Sequence, residues 1–161
     1  MTATEDCGGY VEQPCETYEE CLAVRHRTSQ AIILDEAIQS FADLLRAQKD
    51  GACEAIGLKI GRVGGLSKAR RLRDFCLATG IRMNIEETGG SVLADTGAVH
   101  LAAATPATHR RATWLCHNML TVDLAEGGAR NDGGVTHAPE APGLGVEPRP
   151  EILGDPVAVY G

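Results

Sequence analysis

Ala31-Ile32-Ile33-Leu34-Asp35-Glu36 is the stretch on which the fold turns. Its apolar run is unbroken and carries two β-branched isoleucines, so residues 30–34 read as a strand buried on both faces, the kind found in parallel sheets. The run stops on a carboxylate. Working outward, Tyr10-Val11 ends on Glu12, 23 residues before Asp35, and Ile56-Gly57-Leu58 ends on Lys59, 24 residues after it. That interval holds one strand, one turn, one helix and one return loop. A charged group at the same end of successive strand–helix units is how a parallel barrel builds an active site. Two carboxylates and a lysine converging there suit a divalent cation beside a proton-transfer base.

The segments between these strand ends read as helices. Thr17 to Arg27 has Thr17 as N-cap and Glu20 at the capping-box position. Residues 37–48 place Ile38, Phe41, Leu44 and Leu45 at spacings of three and four, which predicts an amphipathic helix. Ser67 to Thr79 turns Ala69, Leu72, Phe75 and Cys76 inward and ends at Gly80. Strands are expected over 9–12, 54–60, 81–85 and 111–116, and a further helix over 91–104. The alternation implies parallel strands joined by right-handed crossovers. About five strands are too few to close a barrel of eight, so an open doubly wound sheet is the structural competitor. Beyond residue 126 glycines and prolines punctuate the chain. That tail, 127–161, reads as a segment packing back on the rest, with short strand pieces near 144–147 and 156–160.

At 161 residues the chain is the size of one domain and can bury a core. A net charge of −7 argues against nucleic acid or an anionic membrane as a partner. The basic clusters at Arg70-Arg71-Arg73 and Arg110-Arg111 read as solvated faces. No run of apolar residues is long enough to cross a bilayer, and no secretory signal opens the sequence. Six cysteines, none in a Cys-x-x-Cys pair, suit reduced thiols in a cytoplasmic protein.

Lys59 has an argument of its own. The chain holds only three lysines against twelve arginines, and this one closes an apolar strand. The following Gly61-Arg-Val-Gly-Gly-Leu-Ser-Lys68 leads into a helix like a phosphate-binding loop, which keeps a nucleotide-binding α/β module as an alternative. The Walker order has lysine before serine or threonine; here Ser67 precedes Lys68. Glu12 and Asp35 also have a plainer reading, since both precede helices whose N-termini a surface carboxylate stabilises.

Four local words occur in order: Tyr10-Val-Glu-Gln-Pro14, Leu34-Asp-Glu36, Leu58-Lys-Ile-Gly-Arg-Val-Gly-Gly-Leu66 and Ile85-Glu-Glu-Thr-Gly-Gly-Ser91. Together they resemble the enolase superfamily, in its mandelate racemase and muconate-lactonizing branch. The closing Pro142-Gly-Leu-Gly-Val-Glu147 is similar to that family's terminal segment. The resemblance covers residues 8–160 and matches the C-terminal part of a (β/α) barrel of TIM type, from its fourth strand to its end. It implies that Glu12 and Asp35 bind Mg²⁺, that Glu36 supports Asp35 from behind, and that Lys59 is the acid/base group. Such enzymes remove the proton alpha to a carboxylate through an enediolate that the metal stabilises. In this reading Thr88 and Ser91, after the seventh strand, and His117 and Asn118, near the end of the eighth, line the substrate pocket. The mandelate-racemase type carries a histidine at the seventh-strand end; this chain has none there and has Lys59 on the sixth, which points to lysine-based chemistry.

The family's capping domain, its second-strand Lys-x-Lys pair and its third-strand aspartate have no counterpart in these residues. The chain is therefore expected to be the C-terminal part of a longer enzyme: residues 1–8 an irregular start, 9–126 a partial barrel. The parent is expected to be a homo-oligomeric racemase, epimerase or dehydratase of a small carboxylic, amino or imino acid. Cys15-Glu-Thr-Tyr-Glu-Glu-Cys-Leu22 is similar to members acting on hydroxyproline. The competing reading is a catalytically incomplete fragment.

Overall fold

In the computed structural model, which describes residues 8–159, every apolar run named above becomes a strand, and a helix of eight residues or more lies between each consecutive pair of the first five strands. The order is β1 (Tyr10–Glu12), α1 (Tyr18–Arg25), β2 (Ala31–Leu34), α2 (Phe41–Asp50), β3 (Ala55–Lys59), a short α3 (Ile60–Val63), α4 (Leu66–Thr79), β4 (Arg82–Glu86), α5 (Val92–Ala103) and β5 (Arg110–Ala112). The five strands form one sheet in sequence order, and every neighbouring pair is parallel. This is the C-terminal portion of a (β/α) barrel rather than a doubly wound sheet, in which the strand order would reverse.

Alternation along each strand separates two faces. Ile32, Leu34, Ile56, Leu58, Met83 and Ile85 point to the helices and form one core with Leu44, Ala69, Leu72, Cys76 and Leu101. The other face is the inner one. The register pairs Glu12 with Ile33, Ile33 with Ala55, Gly57 with Asn84 and Lys59 with Glu86. Small and polar residues dominate this face because a curling sheet leaves little room there.

The curl itself is visible in one contact. β1 and β5 lie at opposite edges of the sheet, yet the Arg111 guanidinium sits 3.8 Å from the centre of the Tyr10 ring. Its Nη1 also donates to Asn84 Oδ1 at 3.1 Å. Met83 pairs with Arg110 and Asn84 with Ala112, so Arg111 is the extra residue of a bulge. Bulges re-aim side chains at the rims of barrels, and this one turns Arg111 across the trough.

Local signals set the helix ends. Thr17 caps α1 in a complete capping box with Glu20, and Gly80 ends α4 at φ 79°, a conformation glycine adopts without strain. The second helix starts later than its apolar spacing predicts. Ser40 caps it by accepting from the Asp43 N–H, so residues 36–40 form a turn. Ile38 is buried from that turn, while Phe41 and Leu45 are partly exposed on the helix. The last strand is also shorter than expected, ending at Ala112.

Beyond β5 come a 3-10 turn (Cys116–Met119), β6 (Ala125–Gly127), a hairpin of β7 (Arg130–Asp132) and β8 (Val135–His137), β9 (Val146–Pro148) paired antiparallel to β6, and α6 (Pro150–Leu153). This segment rests on α5: the Ala129 N–H donates to Thr96 Oγ1 at 2.9 Å, and His100 Nε2 lies 3.1 Å from the Leu144 carbonyl. Residues 154–159 form no strand; residue 160 and most of the irregular start lie outside the described residues. Among the described residues, no helix is long and apolar enough to cross a membrane.

Candidate active site

Parallel strands in register bring their C-terminal residues to one rim, and the alternation decides which of those residues face inward. Glu12, Asp35, Lys59 and Glu86 close β1 to β4 on the inner face. Glu12, Asp35 and Glu86 each offer a carboxylate oxygen within 4.8 Å of the other two. Lys59 Nζ donates to Asp35 Oδ2 at 2.7 Å and stands 3.8 Å from Glu86 Oε1. Asp35, Lys59 and Glu86 are 4, 8 and 3% exposed, while Glu12 is open to solvent.

Three neighbours fix Asp35. Arg62, on α3, donates through Nη1 to the Asp35 carbonyl and to Oδ1, both at 2.7 Å. Gln13 follows Glu12 at φ 35°, and its Oε1 accepts from the Asp35 and Ala37 N–H groups at 2.9 and 3.3 Å. Gly57 supplies space. A Cβ there would lie 2.3 Å from Asp35 Oδ1. A methyl group on β3 would thus occupy the volume the carboxylate fills.

The electrostatics follow from this packing. Burial works to raise the Asp35 carboxyl, but its hydrogen bonds from Lys59 and Arg62 outweigh burial and hold it below the usual range. Glu86 receives no such help. Burial raises it to about 7, and the charges of Asp35 and Glu12 add to the rise while Lys59 opposes it. Adjacent carboxylates pushed apart in this way are a feature of functional sites. Hard oxygen donors within 4.8 Å of one another are a set that could hold Mg²⁺.

Glu12, Asp35 and Lys59 are thus brought together. The other residues singled out from the sequence stand apart. Glu36 is largely exposed, 4.0 Å from Arg62 Nη2. Thr88 is exposed. Ser91 is the N-cap of α5, with no hydrogen bond from its side chain to the helix. Asn118 is exposed, and His117 is held by Asp95, whose Oδ2 accepts from the His117 backbone N–H at 2.7 Å and lies 2.8 Å from Nδ1. His117 and Asn118 line a cavity of about 460 Å³ together with Val92, Asp123, Glu126 and Arg149.

Glu86, Arg62 and Gln13 join the site without having been singled out from the sequence. Glu86 had a signal: Met83 and Ile85 are the apolar members of β4, so Asn84 and Glu86 must face the other way. Arg62 had none beyond standing three residues after Lys59.

With the geometry in view, the comparisons are consistent. Residues 1–152 match a family model described as enolase C-terminal domain-like. The chain is 42% identical, over 151 residues, to the cis-3-hydroxy-L-proline dehydratase of Roseibium aggregatum, covering 94% of this chain and 41% of that protein. It is 36% identical to the N-succinylamino acid racemase of an Amycolatopsis species, covering 89% of this chain and 39% of that one. Among solved structures, a member of the enolase superfamily from Roseovarius nubinhibens complexed with magnesium superposes with a TM-score of 0.91 at 49% identity, over 96% of this chain and 42% of that chain. The chain spans about two-fifths of the length of the relatives it matches.

Proposed function

This chain belongs to the enolase superfamily, in its mandelate racemase and muconate-lactonizing branch, and on that premise we propose that it is the C-terminal catalytic part of a Mg²⁺-dependent racemase, epimerase or dehydratase that removes the proton alpha to a carboxylate. The observation that carries the reading is the meeting of Lys59 with Asp35 at 2.7 Å on the rim where Glu12 and Glu86 also converge. Glu12 and Asp35 are the residues that would hold the cation. When bound, Mg²⁺ supplies the positive charge without which an α proton beside a carboxylate is too weakly acidic to remove.

The chain's own residues do the rest. Lys59, as the free amine, takes the proton at Nζ and can return it to the same carbon. Returned to the face it left, the proton only restores the substrate; delivery of a proton to the opposite face by a second group gives racemisation or epimerisation, and departure of a β-hydroxyl as water, with a proton from an acid, gives dehydration. Arg62, Gln13 and the space above Gly57 hold Asp35 still, so that Lys59 has one fixed partner before substrate enters. The low exposure of Lys59 and Asp35 keeps water from competing for the proton. A small carboxylic, amino or imino acid is the substrate class, and the similarity to a hydroxyproline dehydratase favours a hydroxylated imino acid.

The test is α-proton exchange in D₂O, followed by NMR on a panel of proline derivatives, with this chain fused to the N-terminal part of the Roseibium relative. Lys59→Met should slow deuterium incorporation by at least about 10²-fold, the usual size of a general-base contribution. Wash-in at an undiminished rate would move the base to another residue.

A further inference from the structure

Among the described thiols, burial pushes Cys53 and Cys76 up to about 12, which keeps both protonated and unreactive. Cys15 and Cys21 stand differently, because a side chain of the site joins them. Cys15 is half-buried just before α1, and Cys21 is buried on that helix. The Cys21 S–H donates to the Cys15 carbonyl at 3.3 Å, so the bend between them folds one cysteine onto the other. Gln13 Nε2 donates to the same carbonyl at 2.9 Å and reaches Cys21 Sγ at 3.5 Å. The other end of that amide, Oε1, accepts from the Asp35 and Ala37 N–H groups. Gln13 thus bridges the two cysteines to the turn that carries Asp35, and it does so from a strained backbone at φ 35°. Burial raises the Cys21 thiol, so the half-buried Cys15 is the sulfur that a small oxidant meets first.

We propose that Cys15 and Cys21 are a peroxide-sensitive thiol pair whose disulfide loosens Gln13 from the Asp35 turn. The Cys15 thiolate attacks one oxygen of hydrogen peroxide, hydroxide leaves with the O–O electron pair, and Cys15 becomes a sulfenic acid. The Cys21 sulfur gives up its proton and attacks that sulfur; the S–O bond breaks and the hydroxyl leaves as water. In all, two thiols lose two electrons and two protons, and one peroxide becomes two waters. The disulfide removes the S–H that bonds the Cys15 carbonyl and pulls the segment that anchors Gln13 Nε2 toward α1. The amide then loses its fixed orientation, and the Asp35 and Ala37 N–H groups lose the acceptor they share. Nothing in this depends on the reaction proposed for the rim.

The test treats the purified chain with a molar excess of hydrogen peroxide and digests it after glutamate. That cleavage separates residues 13–16, which hold Cys15, from 21–36, which hold Cys21, and from 6–12, which hold Cys7. Mass spectrometry should find 13–16 joined to 21–36 with the loss of two hydrogens, and dithiothreitol should reverse the link. Amide hydrogen exchange at Asp35 and Ala37, followed by NMR, should speed up about tenfold on oxidation, roughly what one lost hydrogen bond is worth, while the amides of β3 keep their rates. Cys15→Ser should abolish both the link and the acceleration, with far-UV circular dichroism confirming its fold; Cys21→Ser serves if that variant does not fold. Cys15 left unoxidised, recovered as a sulfinic acid or joined to Cys7 would overturn the pair. A link that leaves exchange at Asp35 and Ala37 unchanged would overturn the coupling through Gln13.

Discussion

Gly57 shows how much a site depends on an atom that is missing. A Cβ there would stand 2.3 Å from Asp35 Oδ1 and 2.8 Å from Cγ, so Gly57→Ala forces the carboxylate to move. Asp35 has nowhere soft to go, because Arg62 and Lys59 hold its two oxygens and Gln13 holds its backbone N–H. Overpacking of this kind costs about 1–3 kcal/mol. Urea melts should show that loss, and the variant should lose Mn²⁺ affinity with it. A Gly57→Ala chain with unchanged stability and unchanged binding would mean that Asp35 is not confined. Gln13 carries the complementary burden. Its φ of 35° is unfavourable for a residue with a side chain, and the strain is held in place by that side chain's bonds to the turn after β2.

At the scale of elements, the helix layer buries groups that must stay neutral. Burial pushes the Cys53 and Cys76 thiols up to about 12. Tyr18, on α1, is raised by burial and by donating its hydroxyl to Asp50 Oδ2 at 2.9 Å. In each case the folded-state pKa lies above the unfolded one. Their contribution to stability is therefore complete below the ordinary thiol and phenol range, and is lost as pH rises toward the folded-state values. The urea midpoint should fall between pH 8 and pH 10.5, and a Cys53→Ala/Cys76→Ala chain should show a shallower fall. A midpoint that does not move over that range would contradict the burial of these thiols.

The same elements show what could be read in advance. The first three strands were legible because an apolar run ends on a charge, and α1 because Thr17 and Glu20 announce its start. The start of α2 was not, because Ile38 fits the helical spacing while lying in a turn, and the cap at Ser40 decides the matter. Glu12, Asp35 and Lys59, which the structure brings to one rim, were singled out by their spacing together with the family resemblance. Glu86 sits beside a second glutamate, and only the phase of β4 separates the inward one from the outward one. Arg62 acts by reaching back from a four-residue helix, a path no periodicity describes. His117 was read as facing substrate, and its partner Asp95 lies 22 residues earlier on another helix, beyond any local pattern.

For the whole molecule the decisive fact is that the sheet has two edges. Among the described residues, β1 pairs only with β2, and β5 only with β4. A parallel sheet with open edges offers unpaired backbone groups to any other strand. The isolated chain should therefore self-associate as its concentration rises, seen by sedimentation velocity, and should melt broadly. A monomer with a sharp two-state transition across that range would show that the edges are shielded. The contact between Arg111 and Tyr10 bears on the same edges in another way. These residues stand about 100 positions apart, at the two ends of the strand series, whereas each neighbouring strand pair joins segments only 20–30 residues apart. Closing a loop of that length comes late, since its entropy must be met before the contact returns anything. During synthesis Tyr10 leaves the ribosome about 100 residues before its partner Arg111 exists. The contact that spans the two edges of the sheet thus waits for the fifth strand, long after the rim residue Glu12 has been made.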